Sequence, residues 1–135
     1  MKAVLDTNVL VSGLIRASGP PGRIVDLLRT GELVCVVDDR ILAEYWDVLQ
    51  RPELVRYFTA TDVDHVLEYL ERGSCRIIVD FAVEGLPDPD DAPFLEAAIV
   101  SGAVLVTGNI RHFPQKLRRG ATVEEPARFL HRFAR

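Results

Sequence analysis

Val4-Leu5-Asp6-Thr7-Asn8-Val9-Leu10 is a short apolar stretch that ends on a carboxylate with a polar turn directly behind it. Val4 and Leu5 read as the end of a buried strand, so Asp6 stands at that strand's carboxyl edge, where open α/β sheets keep their ligand sites. An acid there is badly placed for a core and well placed for a cation. Outward from this stretch the chain repeats one pattern, strand then helix. Residues 3–6 are the first strand, and Pro20-Pro21-Gly22 leads into a helix over 23–29 that Gly31 ends. Residues 33–37 form a second apolar strand, and Asp38 or Asp39 can cap a helix over 40–50 that Pro52 stops. Thr61 and Asp62 open a helix to Arg72, closed by Gly73, before a third strand at 75–79. The Asp-Pro-Asp-Asp segment at 88–91 starts a helix through Val100, Gly102 closes it, and 103–106 is a fourth strand. An edge strand near 121–123 and a last helix from Pro126 complete the pattern. Strands separated by helices predict a three-layer α/β/α sandwich around a central parallel sheet of four to five strands, in one domain over residues 1–135.

Composition limits what these motifs can mean. The 135 residues are 48% hydrophobic and 27% charged, which suits a globular domain and argues against disorder. No apolar run reaches the roughly 18 residues a membrane span requires, and the N-terminal apolar stretch is too short for a signal peptide, so a cytoplasmic location is expected. Cys35 and Cys75 lie in apolar, β-rich runs and are expected as free thiols. The net charge of −4 is unevenly spread: from Asn109 onward seven Arg or Lys face two Glu, giving +5 and leaving −9 on residues 1–108. Such a split fits acids that hold divalent cations beside bases that track a phosphate backbone, and equally a solvated basic tail.

In a parallel sheet the carboxyl ends of the strands share one rim with the start of each following helix. Asp6 ends the first strand, Glu44 lies early in the helix after the second, and Asn109 follows the fourth. Asp91 reaches the same rim provided that the irregular segment 81–87 returns along it. Helix phase supports two of these. At about 100° per residue, Ile41, Leu42, Tyr45, Trp46, Val48 and Leu49 fill one arc, with Glu44 about 40° outside it. Asp91 heads the stripe Phe94, Leu95, Ala98 and Gly102, which points its carboxylate under the helix toward the sheet.

LDTNVLVSGL, the ILAEYWDVL helix, the DPDDAPFLEAA helix start and the VTGN turn together resemble the PIN domains, particularly the small VapC-like toxin branch, across nearly the whole chain. The resemblance places the family's first three acids on Asp6, Glu44 and Asp91, with Asn8 as the neighbouring polar turn residue. Its fourth polar position, often an aspartate, falls on Asn109 behind Thr107. An amide brings no negative charge, so Asp88 or Asp90 would have to supply what a second ion needs. The resemblance implies a metal-dependent endoribonuclease using Mg²⁺ or Mn²⁺, with Asp6, Glu44 and Asp91 as ligands and Asn109 and Thr107 steadying the surroundings. It further implies an RNA substrate, a homodimer, and a cognate antitoxin protein that blocks the acidic mouth.

Other readings stay open. A catalytically weakened PIN-fold binding module would have Asn109 as its defect. The Asp6-Thr7-Asn8 string also approaches the haloacid dehalogenase phosphatase signature, but Asn8 stands where that chemistry needs an acid. Arg111, Lys116, Arg118 and Arg119 are the expected phosphate contacts. Tyr45, Trp46, Phe94 and Phe129 have helical spacing and read as core or dimer surface, core being favoured, while His112 reads as a solvated loop histidine or a donor to phosphate.

Overall fold

The computed structural model describes residues 1–133. Five parallel strands, β1 (Lys2–Leu5), β2 (Val34–Val37), β3 (Cys75–Arg76), β4 (Val104–Val106) and β5 (Val123–Glu124), lie in the order β3-β2-β1-β4-β5. Their registers set Ala3 beside Cys35 and Val104, Leu5 beside Val106, and Val106 beside Glu124. Ala3, Val4, Leu5, Val36, Val37, Leu105 and Val106 are wholly buried, as expected for strands covered on both faces. Six helices flank the sheet: α1 (Thr7–Ile15), α2 (Pro20–Thr30), α3 (Asp39–Leu49), α4 (Ala60–Gly73), α5 (Ala92–Ser101) and α6 (Pro126–Phe133). The result is the expected α/β/α sandwich.

The sheet order decides where a site can form. From β1 the chain crosses by α1 and α2 to β2 on one side, whereas β4, on the other side of β1, leads outward to β5. The two carboxyl ends at this divergence are Leu5 and Val106, paired in register. Asp6 and Thr107 are the next residues of each strand. A crevice at such a switch point is where open parallel sheets bind ligands.

The helices follow local chemistry. Asp38 caps α3 by accepting from the Ile41 amide at 2.9 Å, and Thr59 with Asp62 forms a capping box on α4. Gly31 and Gly102 end α2 and α5 in the left-handed conformation. The α1–α2 crossing is tight. A Cβ at Gly13 would lie 2.6 Å from both the Pro21 carbonyl oxygen and Val25 Cγ2, closer than packing permits.

Four local expectations need correction. The polar turn after Asp6 is the start of α1, because Thr7 onward is helical at once and α2 begins at Pro20 instead of residue 23. The third strand shrinks to Cys75–Arg76, since only Val36 and Val37 of β2 are there to pair with it, and residues 77–87 run without regular structure. Gly73 is the last residue of α4, with Ser74 as the cap, so α4 ends without a left-handed glycine. Trp46 is 42% exposed, while Tyr45, Phe94 and Phe129 are core.

One ionic network ties the rim elements together. Glu96, 2% exposed on α5, accepts from Arg40 Nη1 at 2.8 Å with one carboxylate oxygen and from the Val83 amide at 2.8 Å with the other. Arg40 also bonds Asp38 Oδ2 at 2.7 Å. Glu96 therefore joins α5, the start of α3 and the irregular segment before α5. Removing one partner of a buried pair strands the other charge and the Val83 amide. Glu96→Ala is expected to lower unfolding stability by about 2–4 kcal/mol in urea titration, discounted for the half-exposed Arg40.

Candidate metal centre

Asp6 immediately follows β1, continues the ladder through its amide to the Val106 carbonyl at 2.9 Å, and is 5% exposed. Its Oδ2 accepts from Thr107 Oγ1 at 2.8 Å and from Asn8 Nδ2 at 3.3 Å. Thr107, fully buried, accepts the Asn109 amide at 3.0 Å, so its single hydroxyl proton is directed to Asp6. Asn8 closes the loop by accepting the Gly108 amide at 3.0 Å. The approach is close: a Cβ at Gly108 would sit 3.3 Å from Asn8 Oδ1, and the amide would have to shift slightly to admit it. Burial raises the Asp6 pKa, and the Thr107 hydroxyl opposes the rise.

Glu44 comes to the same place through its neighbour. Tyr45, wholly buried, donates its hydroxyl to the Leu5 carbonyl, fixing α3 against the end of β1 one residue before Asp6. Glu44 is half-buried beside it and accepts from the Thr7 hydroxyl. Its pKa is raised by burial first, with Thr7 opposing and the charges on Asp6 and Asp90 adding to the rise. Asp91 ends the 3₁₀ turn Pro89–Asp91 at the head of α5, with its side chain 13% exposed. Burial, then the Asp6 charge, pushes its pKa up to about 6 against a pull from His112. Glu44 on α3 and Asp91 at the head of α5 thus both feel the charge of Asp6 at the end of β1.

The remaining positions divide. Asp88 caps the turn through the Asp90 amide at 3.0 Å and stands close to Asp91, whereas Asp90 is exposed and acts on Glu44 only through its charge. Asn109 is exposed at the mouth and engages it through its backbone, lining with Asn8, Ser12 and Pro126 a cavity of about 170 Å³. Arg111 and Lys116 are exposed beside it. Arg118 donates to the Phe113 carbonyl at 2.8 Å, and the Arg119 guanidinium lies 5.5 Å from the centre of the Phe81 ring.

Sequence reasoning missed Thr7, hidden in a string read as a turn, and undervalued His112. The His112 Nδ1 is 2.9 Å from Asp91 Oδ2. Among the described residues, one set of His, Cys, Asp or Glu has donor atoms all within 4.8 Å of one another: Asp88, Asp91 and His112. Asp6 and Glu44 lie outside this tightest set, each held by its own threonine. Among the described residues none of Asp6, Glu44 and Asp91 forms an ion pair with arginine or lysine.

A sequence model of the PIN domain matches residues 2–111. The chain belongs to the PIN domain family. It is also similar to an uncharacterized protein, MJ1680, of Methanocaldococcus jannaschii, 32% identical over 114 residues that make up 81% of this chain and 71% of that protein. The PIN domain is a nuclease-type fold, often metal-dependent, and a cluster that includes acidic Asp88 and Asp91 is present here. No helix among the described residues is long and apolar enough to cross a membrane.

The crowding of acids in this PIN domain has a thermodynamic sign. Asp91 titrates near 6 in the folded chain against an ordinary 3.8, so between those values the folded state holds a proton that the unfolded state releases. Its contribution to stability therefore falls as pH rises through about 4 to 6 and is least favourable above that window. In chelator-treated protein, Asp91→Asn is expected to melt above the wild type near pH 7.5, with the advantage shrinking toward pH 4. Circular dichroism melts across that range measure it.

Proposed function

We propose that this PIN domain is a metal-dependent endoribonuclease that hydrolyses RNA phosphodiester bonds, and that it acts as the toxin of a toxin–antitoxin pair. The observation that carries the enzymatic reading is that Asp6, Glu44 and Asp91 are drawn in from solvent with no arginine or lysine bonded to them, burial raising the pKa of each and the charge on Asp6 adding to the rise at Glu44 and Asp91. An acid cluster maintained against its own repulsion fits a missing counter-charge. The donors are all carboxylate oxygens, the hard set that Mg²⁺ or Mn²⁺ prefers.

Asp6, Glu44 and Asp91 would hold the ion, which supplies Lewis acidity at the phosphoryl oxygens and a water of lowered pKa for in-line attack. The protein's own work is positioning. Thr107 and Asn8 fix the free lone pairs of Asp6, and Thr7 does the same for Glu44. Asp91, partly buried at the head of α5, is held by His112 Nδ1 at 2.9 Å. Asn109, exposed beside Gly108, offers an amide to a substrate phosphate or sugar without adding charge. Arg111, Lys116, Arg118 and Arg119 are proposed to follow the RNA backbone, with Arg111 and Lys116 the freest to do so. A homodimer, and an antitoxin segment seated in the acidic mouth, complete the proposal and rest on the family resemblance.

A second reading, a PIN-fold binding module without turnover, is favoured by Asn109, whose neutral side chain stands where an acid would help a second ion. One experiment separates the two. Purified protein is incubated with mixed RNA and Mn²⁺, Mg²⁺ or chelator, beside Asp6→Asn. The nuclease reading expects cleavage that chelator abolishes and Asp6→Asn lowers by about 100-fold or more, the usual scale for removing electrostatic stabilisation of a transition state. RNA bound but uncut under every condition selects the module instead.

Backbone tracking has its own signature. Replacing Arg111 and Lys116 together by alanine is expected to weaken RNA binding at low salt and to flatten the slope of log affinity against log salt by about 0.7 per lost contact for single-stranded RNA. Filter binding over a salt series reads it, and an unchanged slope removes these two residues from the interface.

A further inference from the structure

Asp88, Asp91 and His112 come together because two short turns meet. Asp88 and Asp91 are three apart across the 3₁₀ turn Pro89–Asp91, and in that geometry residues three apart eclipse on one face. Pro89 stiffens the turn, and the Asp90 amide holds Asp88 Oδ1 at 3.0 Å. His112 closes a second 3₁₀ turn, Ile110–His112, whose amide bonds the Asn109 carbonyl at 3.0 Å. The imidazole is thus delivered from the β4 end onto the head of α5.

The three side chains each offer a donor atom within 4.8 Å of the others, and Nδ1 to Oδ2 is 2.9 Å. Neighbouring donors on one octahedral ion with bonds near 2.1 Å stand about 3 Å apart. The spacing already matches two adjacent ligands. A nitrogen donor changes which ion is preferred: carboxylate oxygen alone suits Mg²⁺, whereas imidazole favours Mn²⁺, Co²⁺ and Zn²⁺ in rising order.

We propose that Asp88, Asp91 and His112 form a mixed nitrogen and oxygen cation site at the lip of the acidic mouth, selecting a transition-metal ion over Mg²⁺. The inference rests on the nuclease reading in that Asp91 is shared with the proposed catalytic set. It assigns Asp88 the charge that Asn109 does not bring, and it gives His112 a role as ligand rather than as a loop residue.

The test measures binding, not cleavage. Full-length wild type, His112→Ala, Asp88→Asn and Asp6→Asn are titrated calorimetrically with Zn²⁺ and Mg²⁺, and the visible spectrum is followed with Co²⁺; melting curves confirm that each variant folds. The proposal expects His112→Ala to weaken Zn²⁺ by tenfold or more, to alter the Co²⁺ bands, and to change Mg²⁺ affinity by less than twofold. Asp88→Asn should weaken Zn²⁺ as well, and Zn²⁺ should shift the His112 ring ¹⁵N resonances. Identical Zn²⁺ affinity and Co²⁺ spectra in wild type and His112→Ala would overturn it, leaving an Asp91–His112 ion pair only. Equal losses for Zn²⁺ and Mg²⁺ would overturn the selectivity. Neither result touches the nuclease reading, which fails separately if Asp6→Asn cuts RNA as well as wild type does.

Discussion

The charge on Asp6, held at the sheet's switch point and acting on Glu44 and Asp91, is the constraint on which this molecule's rim is built. Asp6 cannot leave, because its amide is part of the β1–β4 ladder. Glu44 cannot leave, because the next residue is bolted to the Leu5 carbonyl. The chain could have relieved the strain with arginine, and elsewhere it does so: Arg40 neutralises Asp38 and Glu96 a short way along the same rim. The two groups of acids are therefore treated differently. Those that hold the fold together receive a guanidinium. Those at the mouth receive threonine hydroxyls, an asparagine amide and an imidazole, which orient a carboxylate while leaving most of its charge available.

That contrast also separates the acids that hold the fold from those proposed to act at the mouth, where sequence could not. Glu96 and Asp91 are both acids of the 88–101 region and both turn in from solvent, although Glu96 stands about 140° around the helix from the stripe that Asp91 heads. Their partners tell them apart. The strand positions, by contrast, were plain in the sequence, because strands buried on both faces must be unbroken apolar runs and each of 3–5, 34–37 and 104–106 is one. The acids at the strand ends and helix starts were legible for the same geometric reason, since chain direction puts them on one rim. The first helix was not legible. Thr7–Ile15 is apolar on nearly every side, with Val9 and Leu10 buried, Val11 and Leu14 packed against the core and Gly13 wedged against α2, so it carries no polar stripe to betray its period. Trp46 misled in the opposite way, having the spacing of a core residue on a helix whose buried arc is narrower than its apolar one.

His112 was illegible for a different reason. Its sequence neighbours, Arg111 and the basic run after it, describe a solvated cationic loop, and nothing local says that its ring crosses to Asp91. The crossing is a product of topology: β4 lies next to β1, so the turn after β4 passes over the head of the helix that leads into β4. An element that ends a strand and an element that starts the preceding helix meet only once the sheet order is known.

The same topology explains why the acidic mouth and the basic segment adjoin without cancelling. Asn109 begins the stretch that carries +5, and Asp6 and Asp91 belong to the part that carries −9. Pairing them directly would fill the mouth with lysine or arginine and leave nothing for a cation to do. Gly108, Asn109 and Ile110 intervene as a short uncharged spacer before Arg111, and Arg118 is held off by the Phe113 carbonyl. An ion held by the acids would lower the local negative potential before a polyanion approached, and the adjacent bases would then meet its flanking phosphates. If the proposed function holds, the order of events is set electrostatically, cation first and nucleic acid second, with the neutral residue at 109 helping to keep the two charge fields apart.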